Sequence, residues 1–138
     1  MTMPTSFTYT RLVQFAETDL ADIAHFANFF RWMEEAEHAY FRSVGLSVRT
    51  EYQEMEIGWP RVSTSCEFFI PARFEDQLQI QVRITKMGEK SITWEIEFSR
   101  DGTRLALGKA TTVCCIWNSE GLKSIPIPPE IRLKLYPA

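Results

Sequence analysis

From Asn28 to Val44 the large apolar residues Phe29, Phe30, Trp32, Met33, Ala36, Ala39, Tyr40, Phe41 and Val44 recur at three- and four-residue intervals, the period of one face of an α-helix. Arg31, Glu34, Glu35, His38 and Arg42 fall mostly on the remaining surface, and Gly45 is the residue type that stops a helix. Upstream, Phe7, Tyr9, Val13 and Phe15 alternate with Thr8, Thr10 and Gln14, which predicts a half-buried strand from Phe7 to Phe15 whose pattern breaks at Arg11 and Leu12. Glu17 to Ala27 reads as a loop, with Asn28 or the residues just before it capping the helix. Ser47 to Pro60 keeps neither period and is expected to be irregular.

Past Pro60 the period changes to two. Val62, Thr64, Cys66, Phe68 and Ile70 mark one strand, closed by Pro71; Leu78, Ile80, Val82 and Ile84 mark a second; Ile92, Trp94, Ile96 and Phe98 mark a third. Met87-Gly88-Glu89 and Arg100-Asp101-Gly102-Thr103 connect strands as hairpins, the second through the Asp-Gly pair of a tight turn. The last strand is expected from about Arg104 to Trp117, with Ala106, Gly108 and Ala110 small enough on one face for another element to approach closely. Pro126, Pro128 and Pro129 lead into a short helix, Glu130 to Leu135. The order is strand, long helix, then a four-strand meander, and only the aromatic helix can cover the apolar face of the sheet. The pattern therefore predicts an α+β chain with an antiparallel five-stranded sheet wrapped around a central helix.

A chain of 138 residues can bury about two-thirds of its unfolded surface in one core. Nothing repeats and no linker divides it, so it reads as a single domain, 1–138. A net charge of -3, with no run of Lys and Arg, argues against a nucleic-acid footprint. The opening MTMPTSFTYTRLVQF lacks the basic start and apolar core of a leader, and no stretch approaches the ~20 apolar residues of a membrane span; a soluble, cytoplasmic protein is expected. Cys66, Cys114 and Cys115 form no disulfide framework, which fits a reducing compartment. His25 and His38 are the only histidines and stand without Cys or carboxylate at ligand spacing, so no metal is expected. There is neither a glycine-rich phosphate loop nor a Gly-x-Ser-x-Gly elbow.

The remaining chemistry is carboxylate chemistry. Asp19 lies between the first strand and the aromatic helix, where a carboxylate held at a cavity edge can act as nucleophile or general base. An aspartate ahead of a helix is also a common turn former. Glu17 shares its side of an extended chain, so the two acids could interact. Free N–H groups at the helix start can stabilise an oxygen that gathers negative charge.

The run FAETDLADIAHFANFFRWM, Phe15 to Met33, resembles the signature of the 4-hydroxybenzoyl-CoA thioesterase family of hotdog-fold acyl-CoA thioesterases: a strand ending in an acid, a short loop, then an Asn-aromatic-x-Arg-Trp helix start. The likeness continues through Gly88-Glu89-Lys90-Ser91-Ile92 and covers nearly the whole chain. It implies a hotdog fold and hydrolysis of an acyl-CoA thioester. Asp19 would attack the carbonyl carbon or activate a water, and the backbone N–H of Phe26, with His25 beside it, would polarise the carbonyl. It further implies that the strand Lys90-Ser91-Ile92 lies along the pantetheine arm, with Arg61, Lys86, Lys90 or Arg104 as scattered cations for the nucleotide. CoA enters as part of the substrate, with no other cofactor. Self-association as a homodimer or homotetramer through a sheet edge is implied as well, with active sites at the subunit boundary. Where the family usually has a glycine this chain has Asp22, which tolerates a left-handed backbone but adds charge to the loop.

Two other readings stay open. A hotdog hydratase or dehydratase would use His25 with an acid such as Glu34 or Glu37, although the Asp-x-Asn-Pro-x-His arrangement of hydratases is missing. A non-catalytic acyl-CoA or acyl-carrier binding module would follow if Asp22 spoils the loop. His38 and Glu34, one turn apart, read as a surface pair, and the strand cysteines as inert packing residues.

Overall fold

The computed structural model describes residues 6–137; residues 1–5, which open the stretch read above for a leader, and residue 138 lie outside it. Strand β1 (Ser6–Leu12) leads through a 3-10 turn (Phe15–Glu17) and a loop into α1 (Ala27–Ser43). Two short strands, β2 (Thr50–Tyr52) and β3 (Met55–Gly58), precede β4 (Arg61–Phe68), β5 (Gln77–Met87), β6 (Ser91–Arg100) and β7 (Thr103–Val113). The chain ends in β8 (Cys115–Asn118), β9 (Gly121–Ser124) and α2 (Pro129–Leu135). Five strands form one antiparallel sheet in the order β1-β5-β6-β7-β4, as the alternation predicts.

Helix α1 lies on the apolar face of that sheet because its stripe has nowhere else to go. Phe29, Trp32, Met33, Ala36 and Tyr40 are buried against Leu78, Ile80 and Val82 of β5 and Ile92, Trp94, Ile96 and Phe98 of β6. The approach is close: a Cβ on Gly108 of β7 would stand 2.7 Å from Met33 Sδ, so any side chain there would force Met33 to move. Phe29 packs edge-on against Trp32, Phe68 and Phe98, each with ring centroids 5.0 Å apart, and pins the start of the helix to the Phe68 end of the sheet. At the other end Gly45, φ +81°, closes the helix; its N–H reaches Arg42 O, and Leu46 N–H reaches Phe41 O. Asp101 and Gly102, φ +50° and +81°, form the tight turn expected between β6 and β7.

The structure departs from the pattern in four places. Ser47 to Pro60 is not irregular: β2 and β3 pair with each other, and β3 with β8, in a second sheet of order β2-β3-β8-β9. Strands of three or four residues are too short to display a period, and their partner is distant in sequence. The last predicted strand is two strands, because Cys114 N–H turns aside to Lys90 O and β8 leaves the large sheet. β1 stops at Leu12, and Phe15, expected inside, is 76% exposed on the 3-10 turn. Val62 is 63% exposed, because a bulge between Arg61 and Ser63 turns Arg61 to the helix side in its place. Helix α1 leans toward β1 and β5, so the helix side of the edge strand β4 is left open at Thr64 and Phe68. Among the described residues no helix is long and apolar enough to cross a membrane.

Candidate active site

Glu17 holds the strand-to-helix connection together. Its carboxylate accepts from both terminal nitrogens of Arg11, from the Trp32 indole N–H at 3.1 Å and from Gln14 N–H at 2.8 Å. Its carbonyl accepts from His25 N–H at 2.8 Å and from the Asn28 side chain at 2.9 Å. Arg11 is also bound to Glu35, which takes the Tyr9 hydroxyl as well. Glu17 is thus turned toward Arg11 and Trp32 and shares no hydrogen bond with Asp19 among the described residues.

Beyond this anchor the chain makes a tight loop. Asp19 N–H donates to Ile23 O, Asp22 N–H donates to Asp19 O, and one Asp19 carboxylate oxygen accepts from Ala21 N–H at 2.8 Å. Asp22 takes φ +61°, a left-handed conformation that glycine adopts freely and aspartate tolerates. Ala24 N–H donates to Ala72 O and ties the loop to the segment after β4.

At the helix start the orphan donors are nearly all taken. Ala27 N–H is accepted by His25 Nδ1 at 3.2 Å, Asn28 N–H by His25 O and Phe29 N–H by Phe26 O. The Phe26 N–H is left without a partner among the described residues. It sits at the N-terminal, partially positive end of α1, and Phe26 and Asp19 line the same cleft of about 280 Å³, whose opposite wall is Phe68 to Ala72. A carboxylate and an unpaired amide around an apolar hollow can attack and stabilise a polarised carbonyl group. His25 is placed for a different role. With Nδ1 accepting from Ala27 N–H, the ring nitrogen left to face a substrate is Nε2.

The other expected residues lie elsewhere. Ile92 is fully buried in the core, so its side chain cannot touch CoA. Arg61 grips Glu37 of α1 through two bonds of 2.9 and 3.1 Å. Lys90 is exposed and Ser91 half-buried, at the end of β6 away from Phe98 and the cleft. Arg104 pairs with Glu97. His38 is half-buried, with its pKa lowered by that burial, and makes no ion pair with Glu34 among the described residues. Glu37 is buried, and burial holds its carboxyl above the ordinary range against the pull of Arg61. Beside this pair lies a second cavity of about 230 Å³, on whose wall the Trp59 indole N–H is buried without a partner among the described residues. Burial pushes the Cys66 and Cys114 thiols up to about 11, far from a reactive thiolate. Among the described residues no cluster of three or more His, Cys, Asp or Glu side chains could hold a metal.

Sequence reasoning missed Arg11 and the Trp32 indole as the supports of the loop. Their signal was present as the break in the β1 alternation: a charged residue within an apolar strand needs a buried partner.

Residues 21–107 match the family model of the thioesterase superfamily, the match opening just past Asp19. The chain is 31% identical over 124 residues to the 1,4-dihydroxy-2-naphthoyl-CoA hydrolase of Synechocystis sp., covering 89% of each chain. It is 27% identical over 135 residues to the 4-hydroxybenzoyl-CoA thioesterase of Pseudomonas sp. strain CBS-3, covering 93% of this chain and 96% of that one. The crystal structure of Slr0204, a 1,4-dihydroxy-2-naphthoyl-CoA thioesterase from Synechocystis, superposes with a TM-score of 0.81 at 26% identity, over 94% of this chain and 95% of that one. One aromatic helix wrapped by this sheet is the hotdog fold. The chain belongs to the thioesterase superfamily.

Proposed function

We propose that this protein hydrolyses acyl-CoA thioesters, with Asp19 as the attacking carboxylate or as the base that activates water, and Phe26 N–H as the donor to the carbonyl oxygen. The observation that carries the reading is the shared cleft, which is lined by both Asp19 and Phe26, whose N–H has no partner among the described residues. As the carbonyl carbon is attacked, charge gathers on its oxygen and the amide gains most in that state; the CoA thiolate then leaves and is protonated by solvent, and where Asp19 is the nucleophile a water then cleaves the acyl-aspartyl anhydride to free acid and restores the carboxylate. Aromatic walls, Phe26, Phe29, Phe68 and Phe69, suit an aromatic acyl group, the class named for the Synechocystis and Pseudomonas relatives. Asp22 supports activity rather than opposing it, because it adopts the left-handed geometry a glycine would supply.

The active unit in this reading is at least a dimer. Strand β4 ends the large sheet, and its Phe68 end opens on the cleft. Ser91 and the preceding Lys90 lie about 25 Å along the β6 strand from Phe98, beyond reach of the same chain's thioester. Antiparallel pairing of β4 with a second β4 about a twofold axis sets one copy's Arg61 end beside the other's Phe68 end, and brings that copy's Lys90 and Ser91 toward the cleft. Ile92 contributes main chain alone.

The test is thiol release from aromatic and aliphatic acyl-CoAs by the native protein and three variants. Asp19→Asn is expected to lower kcat by about 10²–10⁴-fold without loss of stability, since Asp19 is exposed. Phe26→Pro removes the donor at a φ of -56° that proline adopts, and is expected to lower kcat by about 10²–10³-fold relative to Phe26→Ala. His25→Ala should cost less than either. Turnover that survives Asp19→Asn and vanishes with His25→Ala would replace this reading with histidine chemistry.

A further inference from the structure

The first turn of α1 carries a polar side chain that serves neither the helix nor the cleft wall. Phe26 stands at the N-terminal boundary of the helix and supplies no side-chain cap, and Asn28 is the second helical residue. An asparagine inside a first turn contributes little to a helix, and its amide is ordinarily left to solvent. Here it is half-buried and turned back along the chain, with Nδ2 donating to the Glu17 carbonyl at 2.9 Å. The same carbonyl accepts His25 N–H at 2.8 Å, and His25 O accepts Asn28 N–H at 3.0 Å. Together these bonds close a ring through Glu17, His25 and Asn28. Glu17 is its fixed member, because the Glu17 carboxylate is bound to Arg11 and Trp32.

The ring governs one peptide unit. The His25–Phe26 peptide is planar and its N–H points opposite to its C=O, so whatever holds His25 O sets the direction of Phe26 N–H. His25 O is held by Asn28 N–H, and Asn28 is held to Glu17 by its side chain. Resting on the thioesterase reading above, we propose that Asn28 is a positioning residue, whose side-chain amide fixes the His25–Phe26 peptide so that Phe26 N–H meets the carbonyl oxygen as charge gathers there. Asn28 does not line the cleft and acts only through that peptide. Without its amide the ring opens, and the start of the helix is tied to Glu17 through His25 N–H alone. Such a donor works at about 2.7–3.1 Å from the charged oxygen, and a misplacement of about 1 Å costs about 10²-fold in rate. A bond that served the fold alone would lower stability and leave the rate of the folded protein unchanged.

The experiment is a double-mutant cycle on the turnover of aromatic acyl-CoAs. Asn28→Ala should lower kcat by about 10–50-fold with KM held within about threefold. Asn28→Asp keeps the size but sets an oxygen against the Glu17 carbonyl in place of the donor, and should lose at least as much. In the Phe26→Ala background, which keeps the N–H, Asn28→Ala should cost the same factor as in the native chain. In the Phe26→Pro background, which lacks the N–H, it should cost no more than about twofold. Equal costs in the two backgrounds, or full kcat in either Asn28 variant, would overturn the assignment and leave Asn28 as a tie within the loop. A kcat untouched by Phe26→Pro would remove the donor itself, and the positioning role with it. Should the native protein release thiol from no ester, the hydrolase reading fails separately, and NMR relaxation of the Phe26 amide then decides the role of Asn28. Its order parameter should fall in Asn28→Ala from the rigid range of about 0.85 toward about 0.6, and an unchanged value overturns the role.

Discussion

A single carboxylate, Glu17, anchors the connection and so lets its neighbour Asp19 stay free. Asp19 gives one oxygen to Ala21 N–H, whereas Glu17 collects Arg11, Trp32 and Gln14. Removing Glu17 leaves the Trp32 indole and part of the Arg11 fork without acceptors in a site where its own side chain is only 15% exposed. Glu17→Ala is therefore expected to cost about 2–4 kcal/mol of stability in urea unfolding, with Glu17→Gln intermediate because one oxygen is retained. A cost below about 0.5 kcal/mol for Glu17→Ala would show that the loop is held elsewhere. Asp22 makes the opposite case. Its φ of +61° suits glycine, but glycine also loosens the unfolded chain, so Asp22→Gly should change stability by no more than about 0.5 kcal/mol and leave turnover within about twofold. A tenfold gain in kcat would instead convict the Asp22 charge. The sequence alone points to Asp19 and Phe26 by motif, yet it shows neither the partners of Glu17 nor the left-handed turn at Asp22, because both depend on groups that meet only in three dimensions.

Between elements, the joint that holds α1 to the open edge of the sheet is ionic. The bulge at Val62 swings Arg61 inward onto Glu37, which is 3% exposed. That rotation is invisible to a reading by alternation, which keeps Val62 inside and leaves Arg61 for the substrate. The same limit hides β2, β3 and β8, whose few residues show no period. The long strands β5 and β6, with four alternating apolar positions each, are read correctly because repetition outweighs any one exception, whereas the strand that opens as β7 is read past its end. The Glu37 joint has a pH signature. Burial raises its carboxyl above 4.5, with Arg61 pulling the other way. The folded protein therefore holds this proton more tightly than the unfolded chain does. The stabilisation is complete below 4.5 and is lost as pH rises through the raised value. Urea midpoints of native protein and Glu37→Gln, followed from about pH 4 to about pH 8, should give a difference that falls as pH rises. A flat or rising difference would mean that Arg61 outweighs burial.

At the scale of the whole molecule, the open flank of β4 and the proposed use of Lys90 and Ser91 pose one problem with one proposed solution. An edge strand with an uncovered apolar flank invites pairing, and Thr64 and Phe68 on its helix side are exposed in the single chain. If a second copy completes the site, assembly and turnover must fail together. Thr64 lies near the middle of β4, so in an antiparallel pair about a twofold axis the two copies of this residue approach each other. Thr64→Lys and Thr64→Glu should each set like charges against themselves, shift the sedimenting species toward monomer, and lower kcat/KM by about tenfold or more. Mixing the two variants restores opposite charges across the axis, and dimer and turnover should return together. A Thr64→Lys monomer with undiminished turnover would show that one chain suffices, and Lys90 and Ser91 would then have no part in holding the substrate.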